Sequence, residues 1–334
     1  MYDVISVGEL LIDFTPVGIS EKGNPIFERN PGGGPANMAC AVANMGGRAA
    51  FVGKVGNDNF GSALKNIVEA KGVDVSGLVL SEEFQTTLAF VHLSESGDRS
   101  FSFYRRQGAD TMLRLDEVDT ARLEQCRFLF MSTVMMTEGP SRETSMALLR
   151  LAREKKLPVV LDPNLRLNLW PGGAEAKEWI LKAMGYAEIV KISEEELYFL
   201  SEGKEESLEK AAKHLMERFP MRVLMVTLGP KGCYFLKAAE GGSGEISFYS
   251  PTFDVKTIDT TAAGDSFTGG FLYCLTRENR PLHSYNEGEW KQMVRFANAV
   301  GSLTTTRKGS ISALPDIDEV KGFLEGNPPL LRLE

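Results

Sequence analysis

Asp259-Thr-Thr-Ala-Ala-Gly-Asp265, continued by Ser266-Phe-Thr-Gly-Gly270, places small residues and Gly264 where a strand turns into a helix, the junction typical of an α/β fold. The first N–H groups of a helix lack intrahelical partners and lie at the positive end of its dipole, so they donate readily to phosphate oxygens. A carboxylate there repels phosphate and makes a poor ligand for it. Asp265 fits instead a base that takes the proton of a hydroxyl attacking the phosphate. The same residues also fit an ordinary helix with Asp265 as its N-cap. The stretch alone does not choose between the two readings; the rest of the chain does.

The chain has 334 residues, 43% hydrophobic and 25% charged, with a formal net charge of −8. That length suits one large α/β domain with a small appendage. The acidic balance argues against nucleic acid as the main partner, and an anionic ligand would need a local positive site or bound metal cations. No apolar run approaches the roughly 18 residues of a membrane span, so no membrane partner is expected. Met1-Tyr-Asp-Val-Ile-Ser6 lacks a basic segment and enters a strand at once, unlike a signal peptide. Cys40, Cys126, Cys233 and Cys274 are scattered, as reduced cysteines of a cytoplasmic protein would be. His92, His214 and His283 show no metal-ligand spacing.

Short β-branched runs (Val4–Val7, Ala50–Val55, Phe128–Ser132, Val159–Asp162, Ile189–Ile192, Val223–Thr227) read as buried strands. They alternate with helical patterns at Pro35–Met45, Phe60–Lys71, Ser141–Lys155 and Leu208–Phe219. This alternation predicts βαβ units and a mostly parallel sheet covered on both faces. Residues 11–30 and 86–105 break the rhythm with extended, alternating stretches, and Glu95-Ser-Gly-Asp98 has the composition of a hairpin turn. They predict a small separate sheet acting as a lid, with edge hairpins of the main sheet as the alternative.

Gly8-Glu-Leu-Leu-Ile-Asp13 precedes Asn30-Pro-Gly-Gly-Gly-Pro-Ala-Asn37. Successive glycines let backbone approach a ligand, and Asn37 offers both a donor and an acceptor to a polyhydroxylated one. The turn is neither a Walker A loop nor a dinucleotide fingerprint. Arg166 follows Asp162-Pro163-Asn164 at a strand end, where α/β sheets bind ligands.

The turn at Gly32–Asn37, Asp162-Pro-Asn-Leu-Arg166, Lys191-Ile-Ser-Glu-Glu-Glu196, Thr227-Leu-Gly-Pro-Lys-Gly232 and Asp259–Asp265 occur in that order along the chain. Together they closely resemble the PfkB (ribokinase-like) family of carbohydrate kinases, and within it the pattern is most similar to fructokinases. The resemblance implies a three-layer α/β/α sandwich over residues 1–334 with a small β lid. It also implies ATP-dependent phosphorylation of the 6-hydroxyl of D-fructose, with Mg²⁺–ATP as donor. Acceptors of the same family such as 2-keto-3-deoxygluconate, ribose or a nucleoside are the alternative, and a sugar-binding regulator without catalysis is the non-enzymatic one.

By that resemblance Asp265 is the base, and the backbone of Ala262, Ala263 and Gly264 forms the anion hole. Ala263 stands where the family usually has Gly. Asp13, Gly33, Asn37, Arg105 and Arg166 are implied around the sugar, with Arg105 on a lid strand, where a solvent-facing edge charge is the other reading. Thr227, Gly229, Gly232 and Asn298 resemble the nucleotide-contacting set. Glu196 matches a glutamate acting on Mg²⁺ through water, and Ser193 replaces the Asn usual in that motif. A K⁺ site is implied by Asp259 and carbonyls around Thr261, Thr304, Arg307 and Gly309. An exposed lid edge would suit a homodimer.

Overall fold

The computed structural model describes residues 1–93, 99–201, 207–242, 244–278 and 280–327. The hairpin turn expected at residues 95–98 lies outside them. In chain order the strands are β1 (Tyr2–Val7), β2 (Leu11–Ile19), β3 (Pro25–Gly32), β4 (Ala49–Gly56), β5 (Asp74–Ser81), β6 (Leu88–Leu93) and β7 (Arg99–Tyr104). They continue with β8 (Cys126–Ser132), β9 (Val159–Asp162), β10 (Ile189–Ser193), β11 (Val223–Thr227), β12 (Cys233–Lys237) and β13 (Ile246–Ser250). The helices are α1 (Gly34–Asn44), α2 (Asn59–Ala70), α3 (Gly139–Glu154), α4 (Gly173–Met184), α5 (Glu194–Ser201), α6 (Leu208–Glu217), α7 (Ala263–Arg277), α8 (Glu287–Thr305) and α9 (Ile317–Gly326).

The main sheet runs in the order β13-β12-β11-β10-β9-β8-β1-β4-β5. It is parallel from β5 to β11, and β12 and β13 add antiparallel at one edge. Its strands are apolar on both sides, as a doubly covered sheet requires. Successive residues point to opposite faces: Phe128 and Phe130 pack with α1, α7 and α8, while Leu129 and Met131 pack with α3 to α6. The expected three-layer sandwich is thus present. The β12–β13 hairpin was not anticipated, because Cys233-Tyr-Phe-Leu-Lys237 is buried throughout and carries no alternation.

The segments predicted to leave the rhythm form a second sheet in the order β3-β2-β6-β7. It is cemented by Phe14 stacked on Phe90, with Phe27 and Tyr104 edge-on to Phe90. On the other side of the cleft, α1 and α7 approach closely. A side-chain carbon on Gly269 would lie 2.7 Å from the Ala41 methyl and 3.0 Å from the Met38 carbonyl oxygen. These small residues put the N-terminal turns of the two helices side by side.

Candidate active site

A cleft of about 810 Å³ opens at the C-terminal ends of the parallel strands, between the second sheet and the starts of α1 and α7. Asp13, Gly33, Asn37, Arg166, Glu196, Asp259 and the whole run Thr261–Asp265 line it, as does Gly309.

The phosphate end is built by the turn into α7. Ala262 has φ 61° and ψ 7°, a left-handed conformation immediately before a right-handed helix. Consecutive residues of opposite hand aim their N–H groups into one concavity, a nest for an anion. The Ala263 N–H turns back to the Thr260 carbonyl at 3.3 Å, so it contributes less to the hole than expected. The N–H groups of Gly264 and Asp265 find no acceptor among the described residues. Asp265 is not the N-cap, since no side chain caps α7.

Asp265 instead faces Asn37 of α1, whose Nδ2 donates to Oδ2 at 2.8 Å. Oδ1 of Asn37 is buried without a partner among the described residues, an acceptor left open. Gly34 is needed here: a side-chain carbon on it would stand 2.5 Å from Asn164 Nδ2 and 3.1 Å from Asp265 Oδ1. Gly33, at φ 118°, adopts a backbone that favours glycine, and a methyl there would collide with the Glu9 carbonyl oxygen.

Asp13 lies across the cleft on β2. Burial pushes its carboxyl up to about 6, and the Arg166 guanidinium pulls against that rise. Arg166 is exposed at the rim.

Three residues that the motifs did not single out as ligands belong to the site. Glu9 is fully buried; it accepts from the Gly34 N–H at 2.9 Å and the Ser132 hydroxyl at 2.9 Å, and burial pushes it up to about 7. Asn164 lines the cleft in a left-handed conformation, φ 48°. Lys191, on β10, lies 2.9 Å from Asp162 of β9. Burial opposes the lysine's charge, but Asp162, Glu196 and Asp265 outweigh it and raise its pKa. The available signal for Lys191 was a lone cation inside an otherwise apolar strand.

Other expectations are displaced. Arg105, one residue past β7, neither faces solvent nor lines the cleft. Its guanidinium is buried and bonds Asp110 (Nε, 2.8 Å), the Thr137 hydroxyl (2.6 Å) and the Val134 carbonyl (3.0 Å). The chain returns through Gly108–Asp110 directly onto it and buries it away from the cleft. Asn298 is buried and donates to Ser250 O (3.1 Å) and Pro251 O (3.2 Å). Gly232, at φ 101°, abuts Ser250 as well, so the Gly229–Gly232 turn and Asn298 converge on one short segment outside the cleft. The Thr227 hydroxyl donates to Ile192 O at 3.2 Å.

Both Glu196 oxygens are occupied, one by the Leu165 N–H (2.6 Å) and one by the Ser193 N–H (2.7 Å). Ser193 Oγ returns the contact to the Glu196 N–H at 3.1 Å, a capping box at the start of α5. Among the described residues no cluster of three His, Cys, Asp or Glu is arranged to hold a metal.

Asp259 accepts from the Thr261 N–H (3.0 Å), the Thr261 hydroxyl (2.7 Å) and the Gly309 N–H (3.0 Å). It ties together two of the loops implied in cation binding. Ile258 and Asp259 N–H groups hang on the Thr305 carbonyl rather than on Thr304, and the Arg307 side chain turns away to Glu319.

A carboxylate in the first turn of α7, beside a helix-start nest in a polar cleft, fits phosphoryl transfer to a hydroxyl. The model of pfkB family carbohydrate kinases matches residues 1–317, and this chain belongs to that family. It is 41% identical over 324 residues to probable fructokinase-3 of Arabidopsis thaliana, covering 96% of this chain and 91% of that one. Among solved structures, fructokinase with bound ATP from Xylella fastidiosa superposes with a TM-score of 0.88 at 30% identity, over 98% of this chain and 99% of that one. A fructokinase double mutant from Vibrio cholerae O395, in a fructose-, ADP- and potassium-ion-bound form, gives 0.83 at 33% identity, over 96% and 97%.

Proposed function

We propose that this carbohydrate kinase transfers the γ-phosphate of ATP to the 6-hydroxyl of D-fructose, giving fructose 6-phosphate and ADP. The observation that carries it is Asp265, set at the mouth of the α7 nest and opposite Asp13 in one cleft. Asp13, the Asn37 Oδ1 and the Gly33 backbone hold sugar hydroxyls, and Arg166 closes the rim. Asp265 takes the proton of the attacking hydroxyl. The N–H groups of the Ala262–Gly264 turn donate to the phosphoryl oxygens and stabilise their negative charge as the group moves. Mg²⁺ bound with the nucleotide neutralises its phosphate oxygens.

Thr227, Gly229 and Gly232 supply the nucleotide shelf, and Asn298 shapes it by fixing Ser250 and Pro251. Asp259 organises a K⁺ site with the carbonyls of Thr261, Thr304, Arg307 and Gly309, in keeping with the potassium ion of the Vibrio relative. The second sheet is the lid, and its exposed Val17, Ile19, Ile26 and Tyr104 support a homodimer through it. Among the described residues no helix is long and apolar enough to cross a membrane, and we place the enzyme in the cytoplasm.

A ketodeoxygluconate acceptor would need Arg105 at its carboxylate, and Arg105 is spent on Asp110. The deciding experiment is ADP release with fructose, ribose, ketodeoxygluconate, aminoimidazole riboside and fructose 6-phosphate, in K⁺ and in Na⁺. Turnover with another sugar above fructose would discard the acceptor and keep the kinase.

A further inference from the structure

We propose that Lys191 is a further catalytic residue, whose ammonium donates to a non-bridging oxygen of the phosphoryl group as it passes the start of α7, with Asp162 positioning it. The inference rests on the phosphoryl-transfer reading above.

Lys191 sits on β10 between Val190 and Ile192, both fully buried. An ammonium in such a place is costly unless paired, and Asp162 pairs it at 2.9 Å. That bond uses one of three N–H donors, and among the described residues no other protein acceptor meets the ammonium. The remaining donors face α7. A side-chain carbon on Gly264 would stand 2.9 Å from Nζ and 3.5 Å from Cε, so the glycine leaves the ammonium directly against the nest. The cleft lining is acidic, with Asp13, Glu195, Glu196, Asp259 and Asp265 among its carboxylates; Arg166 and Lys191 are the cations there among the described residues. Arg166 is at the sugar rim, which leaves Lys191 to meet the phosphate end.

The chemistry needs no proton from the lysine. The acceptor oxygen bonds to Pγ and its proton goes to Asp265. The bond from Pγ to the β,γ-bridging oxygen breaks, and its electron pair leaves with ADP. Lys191 stays protonated throughout and adds a full charge beside the partial charges of the backbone N–H groups.

The test is Lys191→Met and Lys191→Arg in the full chain, assayed with fructose and Mg²⁺–ATP. Lys191→Met should lower kcat about 100-fold, the scale of losing one preorganised donor, with fructose KM within about threefold, and Lys191→Arg should recover part of kcat. With ADP, fructose and aluminium fluoride as a mimic of the moving phosphoryl group, the wild type should bind ADP more tightly than without fluoride. Lys191→Met should lose that gain. If removing the lysine strands Asp162 and unfolds the protein, the double variant Lys191→Met/Asp162→Asn removes both charges, and the same two readouts apply. A kcat within threefold of wild type, a loss confined to KM, or an intact fluoride response would overturn the role of Lys191. A wild type that releases no ADP with any sugar would instead overturn the functional reading beneath it.

Discussion

Asn37 Nδ2 lies 2.8 Å from Asp265 Oδ2, although 228 residues separate them in the chain. One bond therefore joins a sugar-end residue to the candidate base. It fixes which carboxylate oxygen stays open to accept a proton.

Replacing the base should be severe. Asp265→Asn is expected to lower kcat by about 10³-fold, within the range of a lost general base, with fructose KM little changed. Asn37→Asp would set two carboxylates against each other and raise the pKa of one. The acidic limb of kcat should then move up by about one pH unit or more, read from a pH–rate profile.

The proposed sugar contact at Asp13 makes sugar affinity depend on pH. Its folded pKa, raised to about 6 by burial, exceeds the ordinary value of 3.8. Fructose KM should therefore rise as pH falls through about 6, and Asp13→Asn should flatten that dependence. The stability consequence has the opposite sense: the folded state holds the proton more tightly, so stability falls as pH rises from 3.8 to about 6. Asp13→Asn should unfold later than wild type at pH 7 by up to about 2 kcal/mol, with partial solvent contact limiting the gain. The difference should vanish near pH 4, as urea melts at both pH values would show.

Arg105 and Asp110 form a buried ion pair at 2.7 Å beneath the second sheet. Arg105→Met alone should cost about 3–5 kcal/mol by orphaning Asp110. The double change Arg105→Met/Asp110→Leu should recover much of that loss in urea unfolding. A direct substrate-binding arginine would instead show itself in KM with stability unchanged.

Gly33→Ala should both destabilise the protein and weaken sugar binding. Its φ of 118° strains any side chain, and the added methyl meets the Glu9 carbonyl. We expect a loss of about 2 kcal/mol or more in unfolding free energy and a raised fructose KM.

The motifs were readable because each sits in one turn. Asp259–Asp265 carries its own nest, and Gly32–Asn37 its own close approach. The second sheet was readable because β2, β3, β6 and β7 interrupt the helical rhythm. Ser193-x-x-Glu196 could have been read as a capping box, and the metal interpretation obscured it. Arg105 was misread because its partners, Asp110, Thr137 and Val134, come from segments whose return path has no local signature. Lys191 and Glu9 were passed over for the same reason: what makes them part of the site is the strand or loop beside them, not their neighbours in sequence.

The glycine–alanine crossing of α1 and α7 has a consequence for reaction distance. Ala41 lies one turn beyond Asn37, and Gly269 one turn beyond Asp265. The crossing is therefore a spacer between Asn37 and the proposed base Asp265, set at its minimum thickness. Any added methyl there would push the two helix starts apart and lengthen the Asn37–Asp265 contact without touching either residue.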